Sequence, residues 1–110
     1  MDATKTERIR ALNDQLRTRG EGGNILVTRG VAALQPPLLA TVLAAVQGFD
    51  AFNPDNDPYN EHDFGSLEVY GERIMFKIDY YDRSMLAHSP DPSDPRFTVR
   101  VLTIMLAAEY

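Results

Sequence analysis

From Arg73 to Tyr81 the chain alternates without a break: Ile74, Phe76, Ile78 and Tyr80 take every second position, with Met75, Lys77, Asp79 and Tyr81 between them. A period of two belongs to a strand with one buried and one half-polar face. The shorter run Ser66-Leu67-Glu68-Val69-Tyr70 precedes it, and Gly71-Glu72 separates the two. A two-residue connection in which Gly supplies positive φ reads as a hairpin turn, so the sequence predicts a β-hairpin over about 66–81.

The other segments are read against that hairpin. Thr4-Lys5-Thr6-Glu7 has the spacing of a capping box, and Ile9, Leu12 and Leu16 recur at helical intervals, which predicts an amphipathic helix over 5–19 ended by Gly20. After Glu21-Gly22-Gly23, the β-branched stretch Asn24 to Arg29 predicts a buried strand, with Gly30 ending it. Pro36 and Pro37 suit a first helical turn, and Leu38, Leu39, Val42, Leu43, Val46 and Phe49 share one broad face, giving a helix over 36–49 that packs on the sheet. Residues 83–95, with Pro90, Pro92 and Pro95, are irregular. Asp94-Pro95 then resembles a cap and first-turn proline, and Phe97, Val101, Ile104 and Ala108 fit a helix over 95–108, although the run Phe97 to Val101 also suits a strand. The expectation is a single α+β domain, residues 1–110, with a small sheet covered by three helices.

Composition removes several function classes. Without cysteine there is no disulfide framework, no thiolate nucleophile and no Cys-built zinc site, so a metal would need carboxylates and His. No apolar run approaches the roughly 20 residues that cross a bilayer. The start, MDATKTERIR, lacks the apolar core of a signal peptide, and a cytoplasmic protein with no membrane association is expected. The formal net charge is −5, and no Lys or Arg occurs between Arg29 and Arg73, while Asp50, Asp55, Asp57, Glu61, Asp63, Glu68 and Glu72 fall in that interval. Phosphate binding needs Lys and Arg, so direct nucleic-acid recognition has little support. Nucleophile-elbow, HExxH and Walker patterns are absent, and the sequence requires no cofactor.

The densest group of polar side chains is the loop NPDNDPYNEHDF, residues 53–64. Asn53, Asp55 and Asp57 occupy alternate positions like the opening ligands of a calcium loop, with Tyr59 and Glu61 continuing the series. Pro58 stands where that motif needs Gly and Phe64 where it needs a bidentate Glu, so an EF-hand is excluded. A different metal site would draw on Asp57, Glu61, His62 and Asp63 with Asp79 or Asp82 of the adjacent strand, a donor set suited to Mn²⁺, Fe²⁺ or Zn²⁺. Adjacent residues of an extended chain point to opposite sides, so Glu61, His62 and Asp63 converge only in a tight turn. The simplest account is that Asn and Asp cap turns and His62 satisfies a loop carbonyl. At the strand end, Tyr80 is expected to pack and Asp79 to pair with a neighbouring base. His88 is expected to be exposed, and Arg10, Asp14 and Arg17 to form a solvated helix face.

The segments NDPYNEHDFG, KIDYYD and RVLTIMLAAEY closely resemble a family of small bacterial proteins known only as a domain of unknown function. The likeness extends through LNDQLR, VTRGVAAL and FDAFNPDNDP, and so over nearly the whole chain. The resemblance implies a setting, plasmids and integrated elements of alphaproteobacteria among accessory and anti-restriction genes, and carries no activity or site residues. The reading that follows is a small acidic accessory protein, non-enzymatic, with a protein partner at the acidic loop through Asp55, Asp57, Tyr59, Glu61 and Asp63. The alternative is a metal-binding protein or metal-dependent hydrolase using Asp57, Glu61, His62, Asp63 and Asp79. An apolar last helix would be buried either in a monomer or in a homodimer.

Overall fold

The computed structural model describes residues 3–110. Their order is α1 (Ala3–Arg19), β1 (Asn24–Val27), α2 (Arg29–Ala32), α3 (Pro36–Gln47), β2 (Phe64–Val69), β3 (Glu72–Tyr81) and β4 (Val99–Leu106), with single 3-10 turns at Pro95–Phe97 and Ala107–Glu109. The strands form one mixed sheet in the order β1-β4-β3-β2, in which β1 runs parallel to β4 and the other pairs are antiparallel. The α+β architecture is therefore the one expected. Among the described residues no helix is long and apolar enough to cross a membrane.

The alternation of β3 sets the core. Ile74, Phe76, Ile78 and Tyr80 all turn to one face and are buried there with Leu102 and Ile104 of β4, under Ile9 and Leu16 of α1, Val31 of α2 and Val42 and Val46 of α3. The hairpin turn lies one residue earlier than expected. Val69 pairs with Glu72, so Tyr70 and Gly71 form the loop, and their φ values of 47° and 84° are those of a type I′ turn. Glu72 is the first residue of β3 instead.

The expected helix over 95–108 is replaced by a turn and a strand. Asp94 does cap and Pro95 does open a turn, with Arg96 N donating to the Asp94 carboxylate, but that turn ends at Phe97. Val99–Leu106 is then extended because it lies between two strands, bonded to β1 on one side and β3 on the other. A central strand is apolar on both faces: Val101 and Met105 are buried as well as Leu102 and Ile104. Such a continuous apolar run also fits helical spacing, so periodicity does not separate the two.

Two smaller differences have local causes. β1 stops at Val27 because Thr28 extends to cap α2, its side chain accepting from Val31 N, and Gly30 therefore lies inside a short helix that the sequence did not announce. As an edge strand, β1 leaves Ile25, Leu26 and Val27 exposed rather than buried. At the N-terminal end, α1 already includes Ala3 and Thr4, so Thr4 is not its cap.

Candidate functional site

The loop between α3 and β2 is organised by its own Asn and Asp side chains. Asn53 Oδ1 accepts from the backbone amides of Asp55 and Asn56, at 2.8 and 3.0 Å. Asp57 is buried, and its Oδ1 accepts from Glu61 N at 3.0 Å and His62 N at 3.1 Å. Wrapping the chain around that carboxylate places Asn60 and His62 in the left-handed region, with φ of 59° and 57°. The chain here turns tightly and is not extended, yet among the described residues Glu61, His62 and Asp63 are not gathered to hold a metal ion.

The turn presents Glu61 and His62 to α1 and β3. The His62 ring stacks on Phe52 with centroids 3.9 Å apart, its Nδ1 lies 2.8 Å from Asp14 Oδ1, and its Nε2 lies 3.8 Å from Asp57 Oδ2. Arg17, only 4% exposed, bonds the same Asp14 oxygen at 3.1 Å, donates to the Phe49 carbonyl and covers the Phe52 ring. Arg10 donates to the Asn60 carbonyl at 3.0 Å. The face of α1 expected to be solvated is thus the surface on which the loop is seated.

Behind it runs a buried polar chain. Tyr80 OH donates to Glu61 Oε1 at 2.8 Å and accepts from Asn13 Nδ2 at 2.7 Å, and the same Asn13 nitrogen donates to the Glu61 carbonyl. Asn13 Oδ1 accepts from Arg100 Nε at 2.7 Å. Burial, and then the nearby Glu61 carboxylate, push the Tyr80 phenol well above its ordinary range despite the opposing Asn13 amide, so it serves as a neutral donor.

The site residues drawn from the sequence therefore divide. Asp57, Glu61 and His62 are engaged inside the protein by the loop's amides, Tyr80 and Asp14 respectively. Asp55 and Tyr59 face outward, Tyr59 being 74% exposed. Asp63 and Asp79 line a common cleft of about 380 Å³ with Tyr81, Leu86 and His88. Burial raises the Asp63 carboxyl above the usual carboxylate range, with Glu61, Asp57 and Asp79 adding to the effect and its own backbone amide opposing it. Asp79 pairs with Lys77 at 2.9 Å. Among the described residues no group of three or more His, Asp or Glu side chains is placed to hold a metal ion.

Sequence reasoning passed over Asn13 and Arg100 and assigned Asp14 and Arg17 to a solvated face. A signal for the helical members was present: Asn13 and Arg17 continue the stripe of Ile9 and Leu16 at helical spacing, and a polar residue on an apolar stripe needs a buried partner. Arg100 was concealed by the helix reading of its segment.

A family model described as "Protein of unknown function (DUF3768)" matches residues 27–109. The matched span holds the loop, the hairpin and β4, whereas α1 with Asn13, Asp14 and Arg17 precedes it. No curated protein and no solved structure matches the chain.

Proposed function

Because this chain belongs to the DUF3768 family, for which function has to be argued from the site itself, we propose that it is a non-enzymatic accessory protein that binds a basic segment of another protein. The observation that carries the reading is the cleft beside the loop. Asp63 and Asp79 supply two carboxylates there, and Leu86, at 88% exposure, forms an apolar rim, with Met85 next to it also exposed. A partner Lys or Arg would meet the carboxylates while an adjoining apolar side chain covers Leu86. The Lys77–Asp79 pair is partly exposed, and such pairs are worth at most about 1 kcal/mol, so a partner cation can replace it.

The proposed surface is smaller than the acidic loop as a whole. Asp57 and Glu61 are engaged in shaping the loop, so the residues proposed to meet a partner are Asp55, Tyr59, Asp63 and Asp79. The mobile-element and anti-defence setting belongs to this proposal through the family resemblance alone. Metal-dependent hydrolysis has no ligand group among the described residues to support it.

Selection from a randomised displayed peptide library tests the reading. Enriched peptides should place Arg or Lys beside an apolar residue and should bind more weakly as salt rises. The double variant Asp63→Asn, Asp79→Asn and the single variant Leu86→Ser should each weaken them about tenfold, equivalent to about 1.4 kcal/mol. Selection that yields no basic-apolar motif, or peptides indifferent to both variants, refutes the proposal.

A further inference from the structure

In a second cleft, lined by none of the residues of the first, the charge balance is reversed. Arg100 is 2% exposed, and its contacts are Asn13 Oδ1, the Pro92 carbonyl and the Tyr80 ring, whose centroid lies 5.0 Å away. No carboxylate of the described residues stands within 4.0 Å of it. A guanidinium does not shed its proton to escape burial, and the carboxylate that offsets this charge, Glu61, acts from beyond Tyr80 and not by direct contact.

Arg100 forms part of the wall of an open cleft of about 450 Å³ between α1 and the start of β4. Arg83 lines the same cleft, and among the described residues its hydrogen bond is a long one, 3.5 Å, to the Thr98 carbonyl. In a chain of net charge −5, the lining contains two arginines and no Asp or Glu. Two carboxylates of the adjoining 91–96 segment are already engaged, Asp94 by Arg96 and Asp91 by Ser93 and Lys5.

The third wall is the glycine connector between α1 and β1. The backbone amides of Gly22 and Gly23 donate to no acceptor among the described residues. Gly22 has φ of +89°, and a Cβ on Gly23 would fall 2.5 Å from the Arg100 carbonyl oxygen, so a side chain is excluded where the connector closes on β4. Amides of a left-handed glycine turn without acceptors among the described residues, lining one cleft with two arginines, have the chemistry of an anion-binding concavity.

We propose that this cleft binds a small oxyanion, the carboxylate or phosphate group of a low-molecular-weight ligand, held by Arg83 and the Gly22 and Gly23 amides, with the buried positive charge of Arg100 in the wall behind them. The remainder of the ligand lies along Leu12 and Gln15.

Two-dimensional ¹H–¹⁵N NMR of the full chain, titrated separately with sodium phosphate and sodium acetate at constant ionic strength against sodium chloride, tests it. Saturable shifts are expected at the amides of Gly22, Gly23 and Asn24 and at Arg100 Nε–H, and whichever salt produces them identifies the oxyanion as phosphate, carboxylate or either. Arg83→Gln should raise the dissociation constant about tenfold, the loss of one charged hydrogen-bonding partner. Gln15→Glu places a carboxylate in the lining and should abolish binding. Both sites are surface-accessible, so neither variant depends on replacing Arg100. Equal shifts with chloride, no shifts at these signals, or unchanged affinity in both folded variants overturn the proposal.

Discussion

Asn13 has the most demanding position of any single side chain here, since its carboxamide is buried and bonded in three directions, to Arg100, Tyr80 and the Glu61 carbonyl. Asn13→Ala leaves the Arg100 Nε–H and one lone pair of the Tyr80 oxygen without partners, and unmade buried bonds cost about 1–3 kcal/mol each. Urea unfolding should show a loss of about 2–4 kcal/mol for this variant and about 1 kcal/mol for Tyr80→Phe, which deletes the hydroxyl together with its needs. Asp63 is the converse case. Its folded carboxyl is raised above the 3.8 of the free side chain, mainly by burial and secondarily by Glu61, so its charge opposes folding once both states are ionised. Asp63→Asn should therefore raise the thermal midpoint at pH 7. The gain should shrink as pH falls through the raised folded value and vanish below about 3.8, where wild type is protonated in both states. An advantage constant across pH 3 to 7 would locate the effect elsewhere.

Among the elements, β3 and β4 show how differently two strands of one sheet are written. β3 has a buried face and a half-exposed face, so its residues alternate and announce a strand. β4 is paired on both edges and buried on both faces, so its residues are nearly all apolar and announce no period. The turn that joins β2 to β3 carries a removable strain. Tyr70 adopts φ of 47°, which a bulky side chain tolerates poorly, whereas Asn-Gly is the preferred type I′ pair. Because Tyr70 is largely exposed and packs little, Tyr70→Asn should stabilise the protein by about 0.5–1 kcal/mol, read as a higher urea midpoint with an unchanged slope.

At the scale of the whole molecule, α1 is the support for the loop. Arg10, Asn13, Asp14 and Arg17 reach four points between Phe49 and His62, across separations of up to 50 residues. A connection of this length would ordinarily exchange its amides quickly, but hydrogen exchange should find those of Asp57, Asn60, Glu61 and His62 protected, since each donates within the loop. Asp14→Ala removes the His62 and Arg17 contacts together and should accelerate exchange of that loop while leaving β3 and β4 protected. Equal acceleration throughout would mean that α1 supports the sheet and has no particular hold on the loop. The alternation of β3, the glycine at the hairpin, the prolines opening α3 and the Asn and Asp caps of the loop could all be read along the chain, because each answers to its immediate neighbours. The extension of residues 99–106, the inward turn of Asp14 and Arg17, and the meeting of Arg100 with Asn13 across 87 positions were settled by packing. Those outcomes depend on which remote segment offers a strand edge, a carboxylate or an amide, and contacts between remote segments leave no local period to read.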